Sequence, residues 1–405
     1  MTKNETFCVA PFTHQSMKTD GCIKLCCQSL PEIASLNASK SFKIECENST
    51  MQEAWNNDII KQVRLDFAQG VKNKRCNICW EHEKNNVKSL RQKYNSRPMM
   101  ERYALDAFKR MSKDGTIHDP PKWIELKLSN LCNFACRMCH VMDSTSWFDD
   151  WKHVHHFSEP YWQSHIEKLN LLNKPYLGVK DDFFDGVDFS EVVLLQFAGG
   201  EPLYDEKHYI ALDKVIDRAD EITLSYATNL SNLGYKKYNV LDYWKKFKFV
   251  NLSVSIDGPR EKNDYIRHGS NWKTLEKNIK EVQKLNNVQI IGKCTLQTTN
   301  IFYLPETLKW FQEMGIGRDI HYVNFPKWFD CRSMPDKIKD HVIEKLMKMQ
   351  ENNKFKSSII NYLKQDLYNE ENWKMFFTYN NILDKLRNQN LFDTFPIFEI
   401  AKKLY

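Results

Sequence analysis

The stretch Leu128-Ser129-Asn130-Leu131-Cys132-Asn133-Phe134-Ala135-Cys136-Arg137-Met138-Cys139-His140 restricts this chain more than any other. Three cysteines stand at C-x-x-x-C-x-x-C, directly after an apolar run, Trp123–Leu128, that reads as a strand. Three thiolates on a tight loop cannot complete the four-sulfur shell of a structural zinc or a closed cluster. They can hold three irons of a four-iron, four-sulfur (4Fe-4S) cluster and leave the fourth iron open to bind and reduce a ligand. A zinc ribbon would use paired C-x-x-C knuckles, and a bacterial ferredoxin run is spaced differently. The bland alternative is three buried cysteines at a strand end by chance.

A chain of 405 residues suits two or three domains. Hydrophobic content of 42% and charged content of 27% describe a globular protein. The net charge of +6 is modest and no Lys/Arg tract strengthens it, so it is only weak evidence for a nucleic-acid partner, a distant third reading. No apolar segment follows Met1-Thr2-Lys3-Asn4-Glu5 and no run reaches a membrane-spanning length, so the expectation is a cytosolic protein without a membrane partner. In a reducing compartment, 12 cysteines argue for metal ligation over disulfides.

Seven of those cysteines crowd residues 1–95. Asp20-Gly21 signals a hairpin, and a helix is expected from about Thr50 to Ala68, with Trp55, Ile59, Val63 and Phe67 on one face and Gly70 as its stop. Cys76-Asn77-Ile78-Cys79 supplies a knuckle. Cys8, Cys26, Cys76 and Cys79 make a closed four-sulfur site, suited to zinc or to an iron–sulfur cluster. Cys27 could replace Cys26, with Cys22 and Cys46 as further stand-ins; Cys294 and Cys331 read as ordinary buried thiols.

Residues 96–121 read as a linker with a short amphipathic helix, roughly Glu101 to Met111. From 122 to 330, strand-like runs alternate with helix-length segments: Trp123–Leu128, Val192–Phe197, Ile222–Tyr226, Phe249–Ile256, Val288–Leu296 and Ile320–Val323. That alternation implies an α/β fold with a parallel sheet, whose sites lie at the carboxyl ends of the strands. Ala198-Gly199-Gly200-Glu201-Pro202 falls at such an end, with glycines that permit close backbone approach and a carboxylate for a cation. Thr228-Asn229 ends the third strand, where helix capping is the alternative. Ser255-Ile256-Asp257-Gly258 and Arg267 follow the fourth; a guanidinium suits a carboxylate, and a surface salt bridge is the alternative. Gln297-Thr298-Thr299-Asn300 and Asn324 end the last two strands with little signal.

These motifs resemble the radical S-adenosylmethionine (SAM) superfamily, and Cys132-Asn133-x-x-Cys136-Arg137-Met138-Cys139 is similar to its peptide-modifying branches. The resemblance implies a partial (β/α)6 barrel. It further implies that Cys132, Cys136 and Cys139 hold a 4Fe-4S cluster that cleaves SAM to a 5′-deoxyadenosyl radical, and that Gly199, Gly200 and Glu201 seat the SAM amino group. Thr228, Asn229, Ser255 and Arg267 become further cofactor contacts, Arg267 for the SAM carboxylate. The order Cys-x-x-Pro-aromatic, Asp-Gly-x-x-x-x-Cys-Cys, Trp55-Asn56, Arg64 to Gly70 and Cys76-x-x-Cys79 is similar to SPASM and twitch auxiliary-cluster domains. One four-cysteine set fits the single-cluster twitch form and implies a second 4Fe-4S cluster. In most relatives that module follows the barrel, whereas here it precedes it.

Residues 140–190 are rich in aromatics and histidines, among them Trp147, Trp151, His155, Tyr161, Trp162 and His165, and read as packing or a substrate cover ahead of a metal site. Residues 331–405 read as a helical cap, with Lys337 to Met349 as one helix. The expected function is hydrogen abstraction from a peptide or protein side chain, fed by a flavodoxin- or ferredoxin-type reductant. A small-molecule dehydrogenase and a cluster-bearing electron carrier without SAM cleavage are the rival readings.

Overall fold

A computed structural model of the chain describes residues 5–29, 34–35, 46–47, 50–84, 88–158, 160–174, 176–365 and 367–403. Two compact units interleave along the sequence: residues 1–131, 165–226 and 234–250 form one, and 132–164, 227–233 and 251–405 the other.

The first unit opens with a hairpin, β1 (His14–Met17) and β2 (Cys22–Lys24), closed by Gly21 at φ 80°. Two-residue strands, Ala34–Ser35 and Cys46–Glu47, extend it beyond β2. The helix expected over 50–68 is broken into Met51–Ala54 and α1 (Asp58–Ala68). Arg64 draws the Trp55 carbonyl to its Nη2 and the Asn56 side chain to its Nη1, while Asn57 caps α1. The turn that would have joined the two helices is spent on that clamp. The knuckle begins α2 (Asn77–Lys84), and the linker helix α3 (Pro98–Arg110) starts earlier than expected because Pro98 suits the first helical turn.

Strand β3 (Trp123–Lys127) pairs in parallel with β4 (Leu194–Ala198), and β4 with β5 (Thr223–Thr228). Helix α4 (Glu206–Asp213) follows β4. On its other side β3 pairs in parallel with β1, Ser16 facing Glu125. The cysteine-rich N-terminal segment is therefore continuous with the sheet of the α/β region. Buried polar contacts fix this register: Ser16 Oγ donates to Glu125 Oε2 at 3.1 Å, and His14 stacks on Trp123 at 3.9 Å.

In the second unit, β6 (Phe249–Ser255) neighbours β7 (Val288–Leu296), which pairs in parallel with β8 (Gly317–Tyr322). Between them run α5 (Trp272–Val282) and α6 (Leu304–Glu313), each with an apolar stripe buried. The C-terminal segment is helical: α7 (Asp336–Met347), α8 (Asn353–Leu363), α9 (Glu370–Arg387), then Leu391–Thr394 and Ile397–Lys403. Its aromatics form one core, with Phe376 and Phe398 rings 5.0 Å apart and Phe302 against Phe398 at 5.6 Å. Among the described residues no helix is long and apolar enough to cross a membrane.

Candidate functional site

The three-cysteine loop is pinned by its backbone. Ala135–Cys136 pairs antiparallel with Arg267–His268, and Cys139 N donates to Cys136 O at 2.8 Å. Ser146 Oγ bonds the Cys132 carbonyl at 2.8 Å and Trp147 Nε1 the Cys136 carbonyl at 3.0 Å. Cys132, Cys136 and Cys139 are half-buried. Burial pushes the Cys136 and Cys139 thiols up, so metal loading there must release protons. Arg137, between the second and third cysteines, is fully buried. It lies 3.6 Å from the Tyr265 ring and bonds Asn380 Oδ1 at 2.9 Å, Asp384 Oδ1 at 2.5 Å and Gln389 Oε1 at 3.0 Å. That clamp ties α9 to the cysteine loop.

The strand-end residues of the second unit gather round the same loop. Asn229 Nδ2 donates to Asn133 Oδ1 at 3.0 Å, and Asn133 donates to Ser231 Oγ at 2.9 Å. Thr228 accepts from Leu230 N at 2.9 Å, shaping a turn in place of the helix cap considered from sequence. Leu230 stands at φ 50°, the left-handed conformation a glycine would take most easily. Ser255 is half-exposed at the end of β6. Arg267 is not a surface ion pair. Its Nη2 lies 2.8 Å from Asp257 Oδ2, with Asp257 wholly buried, and its Nη1 lies 3.8 Å from Cys136 Sγ. Burial pushes the Asp257 carboxyl up, partly offset by Arg267. Arg267 thus already has a carboxylate. Gln297 and Thr299 carry little signal in the sequence. Both are fully buried at the end of β7, and the Gln297 amide and Thr299 hydroxyl lack protein partners among the described residues. Such groups fit a polar ligand.

The double glycine sits in the first unit. Gly199 has φ 111°, and Gly200 packs so closely that a Cβ there would lie 2.3 Å from the Leu131 carbonyl oxygen. Gly200 N donates to Ser129 O at 3.0 Å and Glu201 N to Leu131 O at 2.8 Å. The close approach anticipated for a ligand is made to the peptide immediately before Cys132. Glu201 is 2% exposed, and its Oε1 accepts from Leu203 N at 3.1 Å.

Cys8, Cys26, Cys76 and Cys79 line one cavity together with Arg91 and Tyr94. Burial, reinforced by the neighbouring thiolates, pushes Cys8 and Cys76 to about 12 and Cys26 upward as well. A donor set of four mutually repelling sulfurs fits a cluster that would neutralise them. Cys27 is exposed and lies among Glu125, Lys127 and Tyr94 instead. Cys22, Cys294 and Cys331 are buried, and the Cys46 side chain lies outside the described residues. Arg64 and Trp55 are structural: Arg64 also bonds Pro11 O and Gly115 O, and Trp55 Nε1 bonds Asp119 O. Among the described residues no three His, Cys, Asp or Glu side chains converge on a single-ion site. A cubane cluster spreads its thiolates more widely than one ion does. In the 140–190 segment Trp147 and Trp151 are buried, and His165 lies 3.4 Å from Asp20 of the hairpin. The Tyr161 and Trp162 side chains lie outside the described residues.

Residues 126–315 match the model of the Radical SAM superfamily. The radical SAM cyclopropyl synthase TigE of Paramaledivibacter caminithermalis is 24% identical over 267 residues, 61% of this chain and 51% of that protein. The chain thus spans about half the length of that relative. Streptococcus suis SuiB bound to S-adenosylmethionine aligns with TM-score 0.34 and 14% identity, over 71% of this chain and 62% of that one. SuiB bound to its precursor peptide SuiA aligns with TM-score 0.34 and 13% identity, over 84% and 64%. Both structural likenesses are too distant to carry an argument.

Proposed function

We propose that this chain, whose residues 126–315 form a radical SAM superfamily domain, is an enzyme that abstracts hydrogen from a peptide or protein side chain. The observation that carries the reading is the pinned loop presenting Cys132, Cys136 and Cys139 beside Asn229 and Arg267. When bound, a 4Fe-4S cluster and SAM supply a 5′-deoxyadenosyl radical for that abstraction. Within the chain, Cys132, Cys136 and Cys139 bind the cluster. Gly199, Gly200 and Glu201 offer the amino group of SAM a carboxylate, and Thr228, Asn229 and Ser255 line the cofactor. Arg267 holds Asp257 and the Cys136 sulfur in place, so the sequence-based role of carboxylate partner is secondary. Gln297 and Thr299 offer buried polar atoms to the bound cofactor or substrate. Cys8, Cys26, Cys76 and Cys79 would hold a second cluster in a twitch-like module, and a flavodoxin- or ferredoxin-type protein would deliver electrons. The peptide reading rests on the local wording around Cys132–Cys139 and Ser255–Gly258.

The test is iron content and dithionite-driven SAM cleavage of anaerobically reconstituted protein, beside Cys132→Ala/Cys136→Ala/Cys139→Ala. About eight irons falling to about four, with 5′-deoxyadenosine formed only by the wild type, is the expected result. Iron without SAM cleavage would leave an electron carrier. No iron in either protein would end the proposal.

A further inference from the structure

The C-terminal helix α9 brings more than packing to the cysteine loop. Asn380, Asp384 and Arg387 recur on it at helical spacing. Asn380 and Asp384 engage Arg137, as described above. Arg387 has a different environment. Its side chain is 1% exposed, and its Nε donates to Asp150 Oδ2 at 2.8 Å. Its guanidinium lies 4.7 Å over the ring of Trp147, whose indole nitrogen holds the Cys136 carbonyl. Both remaining nitrogens, Nη1 and Nη2, are buried with no partner among the described residues. One carboxylate therefore serves a cation that presents five N–H donors, and the uncovered donors are costly to bury.

We propose that Arg387 is a tuning residue of the redox centre at Cys132, Cys136 and Cys139, its Nη1 and Nη2 donating to the sulfur of the cluster bound there. The inference rests on the function proposed above. A four-iron cluster on three thiolates is net negative and becomes more so on reduction, so a buried cation beside it stabilises the reduced form. Potentials of such clusters follow net charge, hydrogen bonds to sulfur and solvent exposure, and Arg387 acts on all three. The charged and titratable groups that share this neighbourhood include Arg137, Asp150, Tyr265, His268 and Tyr379, beside Cys136 itself. The C-terminal segment then has a reason to be fastened to the loop by two buried arginines.

The test is a redox titration of the full reconstituted chain, following the paramagnetic signal that disappears in Cys132→Ala/Cys136→Ala/Cys139→Ala. Arg387→Gln should lower the reduced-to-oxidised ratio at fixed potential at least tenfold, which is about 59 mV for one electron. Arg387→Lys should recover most of that loss, and Asp150→Asn should move the ratio upward, because it removes a negative charge but keeps the arginine. An unchanged ratio in an iron-replete Arg387→Gln protein overturns the inference. So does an Asp150→Asn shift in the same direction as Arg387→Gln, which would make the pair a structural brace. If Arg387→Gln loses its iron, the shifts of Arg387→Lys and Asp150→Asn decide. A wild-type protein with no iron at the three cysteines overturns the function reading and this inference together, whereas a replete wild type with insensitive variants overturns this one alone.

Discussion

Replacing Gly200 with alanine tests the packing under the candidate site most directly. The new methyl would lie 2.3 Å from the Leu131 carbonyl oxygen and 2.7 Å from its carbon. A comfortable C···O contact is about 3.3 Å, so roughly 1 Å of backbone displacement is required. Neither atom belongs to a flexible side chain, so the loop or the residues before Cys132 must move. Moving them strains two hydrogen bonds, from Gly200 N to Ser129 O and from Glu201 N to Leu131 O. Each is worth about 1 kcal/mol, and overpacking adds about 1–3 kcal/mol, for a total of about 3–5 kcal/mol. Urea denaturation gives the stability change, and iron analysis shows whether the cysteine loop still loads. Gly315→Ala is the control. Gly315 has φ 64° but nothing within 4 Å of an added Cβ, so it reports the backbone term alone, about 1 kcal/mol. A Gly200→Ala protein no less stable than Gly315→Ala, with full iron, would refute the reasoning.

Asp384→Asn leaves the fully buried Arg137 without its carboxylate, which should cost about 3–5 kcal/mol by chemical denaturation and reduce iron at the three-cysteine loop. Cys26→Ser should abolish metal at the N-terminal set while Cys27→Ser leaves it intact, read as iron and zinc per chain; equal losses would reassign the ligand. Burial pushes the His208 imidazole down to about 3, against about 6.5 when unfolded. Its folded value is depressed, so its stabilisation is complete above about pH 6.5 and fades as pH falls toward 3. Urea midpoints between pH 7.5 and 5 should therefore drop, by up to about 1.4 kcal/mol per pH unit below 6.5 from this group. His208→Gln should flatten the dependence, and an unchanged slope would exclude His208 as its source.

The strands and the cysteine loop were legible because their signals are local. Apolar runs such as Trp123–Leu128 and Val288–Leu296 span single strands, and C-x-x-x-C-x-x-C lies within eight residues. What stayed hidden depends on distant partners. Nothing local to Arg137 marks it for burial; Asn380 and Gln389, 243 and 252 residues away, enclose it. For Arg267 the sequence leaves a ligand carboxylate and a surface salt bridge both open, and the buried Asp257 that it pairs with lies ten residues earlier. Asn57-Asp58 is a capping signal that could have split the 50–68 helix, but the Arg64 clamp that makes the break worthwhile reaches across to Gly115. Leu230 takes a left-handed backbone that no local signal announces. Its left-handed backbone is tolerated because its side chain is fully buried and Asn278 holds its carbonyl at 2.9 Å.

The parallel pairing of β1 with β3 also governs how the chain is made. Ser16 leaves the ribosome 109 residues before its partner Glu125, a delay of about 5–20 s at ordinary rates of synthesis. For that interval the hairpin presents an unpaired strand edge, flanked by Cys8, Cys22, Cys26 and Cys27. Oxidants and neighbouring nascent chains meet those thiols before the finished sheet shelters Cys8 and Cys22. Recovery of intact protein should accordingly depend on the redox state of the cell while the chain is still growing.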